Sequence, residues 1–497
     1  MATTPPALVL LPEWGSGHLA PMLESCKRVL LHGGGRAFSI TLLVMRPPTA
    51  EASSEVEEHV RREQAAFSGL EIGFHRLPAV DPPKDAVGVE EFIARYVAAH
   101  APHVRDAVAG MARPVAALVL DMFAAPLVDV ARGLGVPSYV FMSSTGALLA
   151  LMLHLPVLRD ADADGEEGDD AVMCVPGLPS PLPAAAVPGF VADRKSPNFE
   201  WFARLGERFA DATGIIANTA DELEPGPLAA VAEGACVPPG RPTPPVYPIG
   251  PVLSLGSSKK KDSSSEAPPK HECVAWLDAQ PAASVVFLCF GSMGWFEPPQ
   301  VAEICAALER SGHRFLWVLR GPPGDGGGAP DGSEHPTDAD LDALLPEGFL
   351  ERTKGRGLVW PTWAPQKEIL ARAAVGGFVT HGGWNSVLES LWHGVPMIPL
   401  PLYAEQHLNA FELVSVMGVA VAMEVDRDRD NFVEAAEMER ALRVLMGGES
   451  EEGRKAREKA KEMMAVCRKA GEMGGSSYAA LQRLSAALHY GAALPKK

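Results

Sequence analysis

The sequence predicts an α/β protein made of two doubly wound domains that face each other. Three observations carry this. Short apolar runs alternate with longer helical patterns over most of the 497 residues, the two halves open alike, and composition shifts sharply between them. A chain of this length exceeds what one hydrophobic core supports, so two domains of ordinary size are expected. With 47% hydrophobic residues and a mean hydropathy near zero, it reads as a folded, soluble protein.

In the first half, ALVLLP (7–12), FSITLLVM (38–45), LEIGFHRL (70–77), AALVLD (116–121), SYVF (138–141) and GIIANT (214–219) read as strands. In the second half, SVVFLCF (284–290), RFLWVL (314–319), GLVW (357–360), GGFVTH (376–381) and VPMIPLP (395–401) do the same. ALVLLPEWGSGHLAPMLESCKRVL opens the first half as strand, G-S-G and helix, and SVVFLCFGSMGWFEPPQVAEICAAL opens the second as strand, G-S-M-G and helix. Each places a glycine-rich turn at the carboxyl end of a first strand, which is where such sheets bind ligands.

Between the halves, 237–270 is rich in Pro, Ser, Gly and Lys and reads as an exposed linker running into a disordered loop. The expected units are 1–248, 249–470 with a flexible linker at 249–270, and a C-terminal helical segment, 471–497, packing back on the first domain. The stretch 321–342 also reads as a solvated loop. EEGRKAREKAKEMMAVCRKA (451–470) reads as a charged helix.

A formal charge of −18 argues against non-specific nucleic-acid binding. Seven cysteines without CxxC spacing read as reduced thiols of a cytosolic protein, not a disulfide framework or a zinc site. The N-terminus carries no readable secretory signal. Val136–Leu158 lacks Asp, Glu, Lys and Arg, but Ser143, Ser144 and Thr145 divide it into a β-rich and a helical part. A buried strand and helix are expected there, with no membrane insertion.

FVTHGGWNSVLESLWHG (378–394) runs from a strand into a helix through THGGWNS. Two readings are open for that segment alone. It is a plain turn with a capping box from Ser386 to Glu389. Or it is an anion cradle, in which Gly382 and Gly383 let a phosphate approach unpaired helix N–H groups while His381, Asn385 and Ser386 add donors. The flanks favour the cradle. WAPQ (363–366) puts an aromatic plane beside an amide, suited to a base, and PLYAEQ (401–406) puts Glu405 and Gln406 at another strand end, suited to sugar hydroxyls.

In the first half, His18 ends W-G-S-G-H at the mouth of the first strand and Asp121 ends AALVLD. A strand-terminal carboxylate could orient a nearby imidazole. DADAD (160–164), DAD (338–340) and DRDRD (426–430) contain a DxD pattern but lie in polar, loop-like surroundings and read as solvated charge.

The segment Trp363–Gln406 closely resembles, without a gap, the signature box of plant UDP-dependent glycosyltransferases of small molecules (family 1), and the resemblance extends over about residues 6–490. It implies the GT-B fold, with acceptor in the N-terminal Rossmann-like domain and UDP-sugar in the C-terminal one. By this resemblance Trp363 stacks on uracil, with Ala364 and Gln366 holding base and ribose and Glu389 binding ribose hydroxyls. His381, Gly383, Asn385, Ser386 and Ser292 hold the diphosphate, and Trp384, Glu405 and Gln406 contact the sugar. Many members carry Asp where this chain has Glu405, which lengthens that arm. Ser143 and Ser144 are further candidates for reaching the sugar.

The resemblance also makes His18 and Asp121 a catalytic dyad. The expected activity is inverting transfer of glucose from UDP-glucose to a hydroxyl of a small phenolic or flavonoid acceptor, giving a β-glucoside without a metal or other cofactor. A cytoplasmic monomer is expected. The competing readings are a sugar-nucleotide epimerase or hydrolase on the same fold, and an inactive UDP-sugar-binding protein.

Overall fold

The computed structural model describes residues 5–32, 37–65, 69–86, 88–163, 173–179, 181–253, 270–324 and 335–493. Seven strands form the first sheet: β1 Ala7–Leu11, β2 Ser39–Val44, β3 Ile72–Arg76, β4 Val115–Asp121, β5 Ser138–Met142, β6 Gly214–Ala217 and β7 Val246–Pro248. They are parallel, in the order β3-β2-β1-β4-β5-β6-β7. The second sheet comes from β8 Val285–Cys289, β9 Arg314–Val318, β12 Gly357–Trp360, β13 Val375–Thr380 and β14 Met397–Pro399, in the parallel order β12-β9-β8-β13-β14. Between them in sequence, β10 Arg320–Pro323 and β11 Pro336–Asp338 make a small antiparallel pair.

Each sheet thus reverses its strand order beside its first strand, between β1 and β4 and between β8 and β13. Helices cover both faces, which is why β1, β4, β5 and β8 are buried throughout and read as continuous apolar runs. The crevice at such a reversal is the binding position of a doubly wound sheet. These are two Rossmann-like domains.

The stretch Val136–Leu158 divides into β5 and a buried helix, Gly146–Ala163. No described helix is long and apolar enough to cross a membrane. The last helix, Ser476–Ala493, lies against β4 and β7, and its Ala480, Leu484 and Leu488 are buried with Leu8 and Val119. None of the seven cysteines is joined in a disulfide.

Three sequence expectations are corrected. The supposed linker is ordered through Leu253: Val246–Pro248 pairs with β6, and Ile249, Val252 and Leu253 are buried. Its prolines masked this, but an edge strand needs ladder bonds on one side only and tolerates them; residues 254–269 lie outside the described residues. The supposed solvated loop 321–342 contributes to the β10–β11 pair, although 325–334 lie outside the described residues. Residues 160–163 end a helix instead of lying in a loop, with Asp164 outside the described residues.

Candidate active site

The two strand reversals face one another across the domain seam. His18 lies in the first turns of the helix Ser16–His32, which starts after β1, and Asp121 is the last residue of β4. Their adjacency follows from β1–β4 pairing, which joins segments 103 residues apart. His18 Nδ1 is 2.8 Å from Asp121 Oδ2 and 3.2 Å from Ser143 Oγ. Asp121 is fully buried, and its other oxygen accepts the Phe123 N–H at 3.0 Å, which fixes the carboxylate.

That carboxylate selects the tautomer with the proton on Nδ1 and leaves Nε2 as the available base. Burial pulls the imidazole pKa down. The charge and hydrogen bond of Asp121, with Glu13 and Glu405 adding, outweigh this and push it up to about 9. Glu13, a residue the sequence reading passed over, is buried beside the pair and accepts the Gly15 N–H at 2.7 Å. Burial pushes its carboxyl up to about 7, with His18 opposing. An acidic residue following a strand in P-E-W-G was the available signal.

Across the seam, β13 ends at Thr380 and the helix Trp384–His393 begins after the two glycines. Its N-cap is Gly383, with no side chain satisfying the first N–H groups. The alternative reading of this segment, a capping box from Ser386 to Glu389, is therefore not formed. Ser386 is already in the helix, and Gln366 Nε2 donates to Ser386 Oγ at 2.9 Å and to Glu389 Oε2 at 2.8 Å. Burial raises the Glu389 carboxyl, with Gln366 partly opposing. Freed from capping, this carboxylate can meet a ribose.

Gly382 adopts φ +82°, open to glycine at little cost. His381 packs between two more glycines: a Cβ on Gly291 would lie 2.8 Å, and one on Gly383 2.4 Å, from its Nε2. The ring is buried, burial lowers its pKa to about 4, and its Nδ1 has no hydrogen-bond partner. A neutral imidazole thus faces the unpaired helix end. Ser292 is exposed on the turn after β8. The Trp363 indole is 67% exposed beside buried Ala364, an open face for a base.

Trp384 was expected to turn toward the sugar. Its indole is instead buried, and Nε1–H donates to the Asn218 carbonyl of the other domain at 2.8 Å. A large aromatic ring at a helix start packs into the seam when the N-terminal domain covers it. Glu405 precedes the helix Gln406–Phe411, and its Oε1 accepts the Ser144 hydroxyl at 2.8 Å. Gln406 Oε1 accepts the N–H groups of Leu402 and Tyr403 at 2.8 and 3.1 Å, which closes the loop after β14. Ser143 and Ser144, adjacent in sequence, therefore touch one catalytic candidate and one sugar-side candidate.

The DRDRD segment joins the domains. Arg427 donates to the carbonyls of Ala184, Ala185 and Val187 at 3.2, 3.0 and 3.1 Å. Asn431 meets His407 and the Leu402 carbonyl, both at 2.9 Å. Tertiary contact alone brings these residues together, so sequence reading could not assign them.

A glycine-lined helix N-terminus facing an orienting carboxylate and an imidazole, across two Rossmann-like sheets, defines a GT-B nucleotide-sugar transferase. More particularly, the chain belongs to the plant family 1 UDP-glycosyltransferases. Residues 253–452 match the family described as UDP-glucoronosyl and UDP-glucosyl transferase. A malvidin galactosylase of Oryza sativa subsp. japonica is 58% identical, covering 97% of each chain. A putative UDP-glucose flavonoid 3-O-glucosyltransferase of Fragaria ananassa is 41% identical, over 96% of this chain and 98% of that one. UGT2 of Phytolacca americana, solved with UDP-2-fluoro-glucose and pterostilbene, is 33% identical with a TM-score of 0.80, covering 97% of this chain and 99% of that one.

Proposed function

We propose that the enzyme transfers glucose from UDP-glucose to a hydroxyl of a small phenolic or flavonoid acceptor, with inversion and without a metal ion. The observation that carries this reading is the 2.8 Å His18–Asp121 contact, placed opposite Ser144–Glu405. His18 Nε2 takes the acceptor proton, and Asp121 stabilises the imidazolium that forms. A base of pKa about 9 lies close to a phenol's value of about 10, so little free energy separates the two proton positions.

The acceptor oxygen attacks the anomeric carbon from the face opposite the leaving group, which turns an α-linked donor into a β-glycoside. UDP departs toward the N-terminus of the helix Trp384–His393, where unpaired N–H groups and Asn385 meet its growing charge. Trp363 stacks the base, with Ala364, Gln366 and Glu389 holding base and ribose. Glu405 and the amide N–H₂ of Gln406 contact the sugar.

A second donor, UDP-galactose, is supported by the 58% identical rice relative, a malvidin galactosylase. The deciding experiment incubates the protein with each UDP-sugar, EDTA and a panel of phenols, and follows products by mass spectrometry. A β-glucoside formed faster than the galactoside is expected. Galactoside alone would replace the donor assignment; a requirement for metal, or UDP-sugar turnover without any acceptor, would overturn the reading.

A further inference from the structure

Behind the site, two carboxyl groups from opposite domains meet inside the seam. Glu224 follows β6, and Glu412 follows the helix Gln406–Phe411; each is 1% exposed. Glu224 Oε1 accepts the Ala147 N–H at 2.9 Å, and the Gly146 N–H also acts on this carboxyl. The Thr219 hydroxyl stands beside Glu224, and the Thr145 hydroxyl beside Glu412.

Glu224 Oε2 and both oxygens of Glu412 are buried and make no hydrogen bond of normal geometry. Two unpaired buried anions in contact are strongly unfavourable, and one shared proton removes the conflict. The charge belongs on Glu224, which already has backbone donors. The proton belongs on Glu412, where burial and then the Glu224 charge favour the neutral acid. Among the described residues, Glu224 is the ionisable group that acts on Glu412. At and just before the preceding helix, His407 is bound by Asn431 and Glu405 by Ser144.

The place of the pair gives it a function. Thr145, Gly146 and Ala147 directly continue Ser143 and Ser144, which touch His18 and Glu405. Glu412 begins a π-helical turn, Glu412–Val416, at the end of the short helix that Glu405 caps. Such turns are rare and recur near functional sites.

We propose that Glu412 is a protonated positioning residue: its proton, shared with Glu224, clasps the two domains and holds Glu405 and Gln406 in register with His18. This rests on the transfer reading above. The clasp joins segments that carry the acceptor base and the sugar contacts, so losing it loosens their alignment and lowers kcat more than it weakens UDP binding.

The test uses the full chain with Glu412→Gln, which keeps a hydrogen-bond donor but cannot lose a proton, and Glu412→Ala, which removes the donor. Thermal unfolding of the free proteins is followed from about pH 6 to about pH 10. A carboxyl held protonated by folding makes stability fall as pH rises toward its folded pKa, so the wild type should lose Tm along this range. Glu412→Gln should show a flatter slope. At neutral pH the Gln variant should keep transfer within about threefold of wild type, and the Ala variant should lose about tenfold in kcat with UDP affinity little changed.

Equal Tm slopes for wild type and Glu412→Gln would overturn the shared proton, even if the Ala variant fails to fold. A flattened slope with transfer lost equally in both variants would overturn the positioning role. Absence of transfer in the wild type would instead sink the proposed function, and the slopes would still decide the clasp.

Discussion

Asn385 donates its side-chain N–H to the carbonyl of Gly17 at 2.9 Å, across the domain seam and one residue before His18. The residue at the start of the helix proposed to hold the diphosphate thus also holds the turn that carries His18, the proposed base. Under the proposed function, this contact links the donor site to the position of the base.

Asn385→Ala should therefore lower kcat/KM by the worth of one or two hydrogen bonds, about 1–2 kcal/mol or roughly 5–30-fold. Asn385→Asp cannot donate to Gly17 and adds a negative charge at the helix end. It should weaken UDP binding further than Ala does, measured by titration calorimetry. Equal UDP affinity in the two variants would mean that the side chain does not face the diphosphate.

The raised His18 pKa predicts a pH profile. Only the neutral imidazole can accept a proton, so kcat/KM should climb as pH rises toward about 9 and then level. An aliphatic alcohol acceptor, which does not ionise in this range, isolates the enzyme's own group. Asp121→Asn removes the dominant raising influence and should move the rise to lower pH while reducing kcat. The same group favours the folded protein fully below pH 6.5, and that contribution is lost as pH passes about 9. A profile unmoved by Asp121→Asn would remove Asp121 from this role.

Gly383→Ala tests the cradle. The added Cβ would sit 2.4 Å from His381 Nε2, against a buried ring. The strain should cost about 1–3 kcal/mol of stability and displace His381 from the helix end. UDP affinity should fall, while the His18–Asp121 pair, in the other domain, should keep its pH dependence. Unchanged UDP affinity would exclude His381 and Gly383 from the diphosphate site.

Much of this molecule was legible in one dimension because parallel strands buried on both faces write continuous apolar runs. All eleven runs read as strands form strands. Those missed, β7, β10 and β11, are short, proline-containing and peripheral, so local composition outweighed their weak pattern. Trp384 shows the opposite limit. Its place in the signature was plain, but its indole answers to Asn218, a residue 166 positions away.

The sequence by itself determined the two doubly wound domains, the family, and the strand ends where chemistry could gather, because periodicity and glycine-rich turns are local properties of the chain. Tertiary structure alone decided which side chains meet. The β1–β4 pairing brought Asp121 to His18, and the domain seam brought Asn385 to Gly17, Ser144 to Glu405 and Glu224 to Glu412. Those contacts join residues from distant segments, and their protonation is set by burial and neighbouring charge, which come into being only when the two sheets face each other.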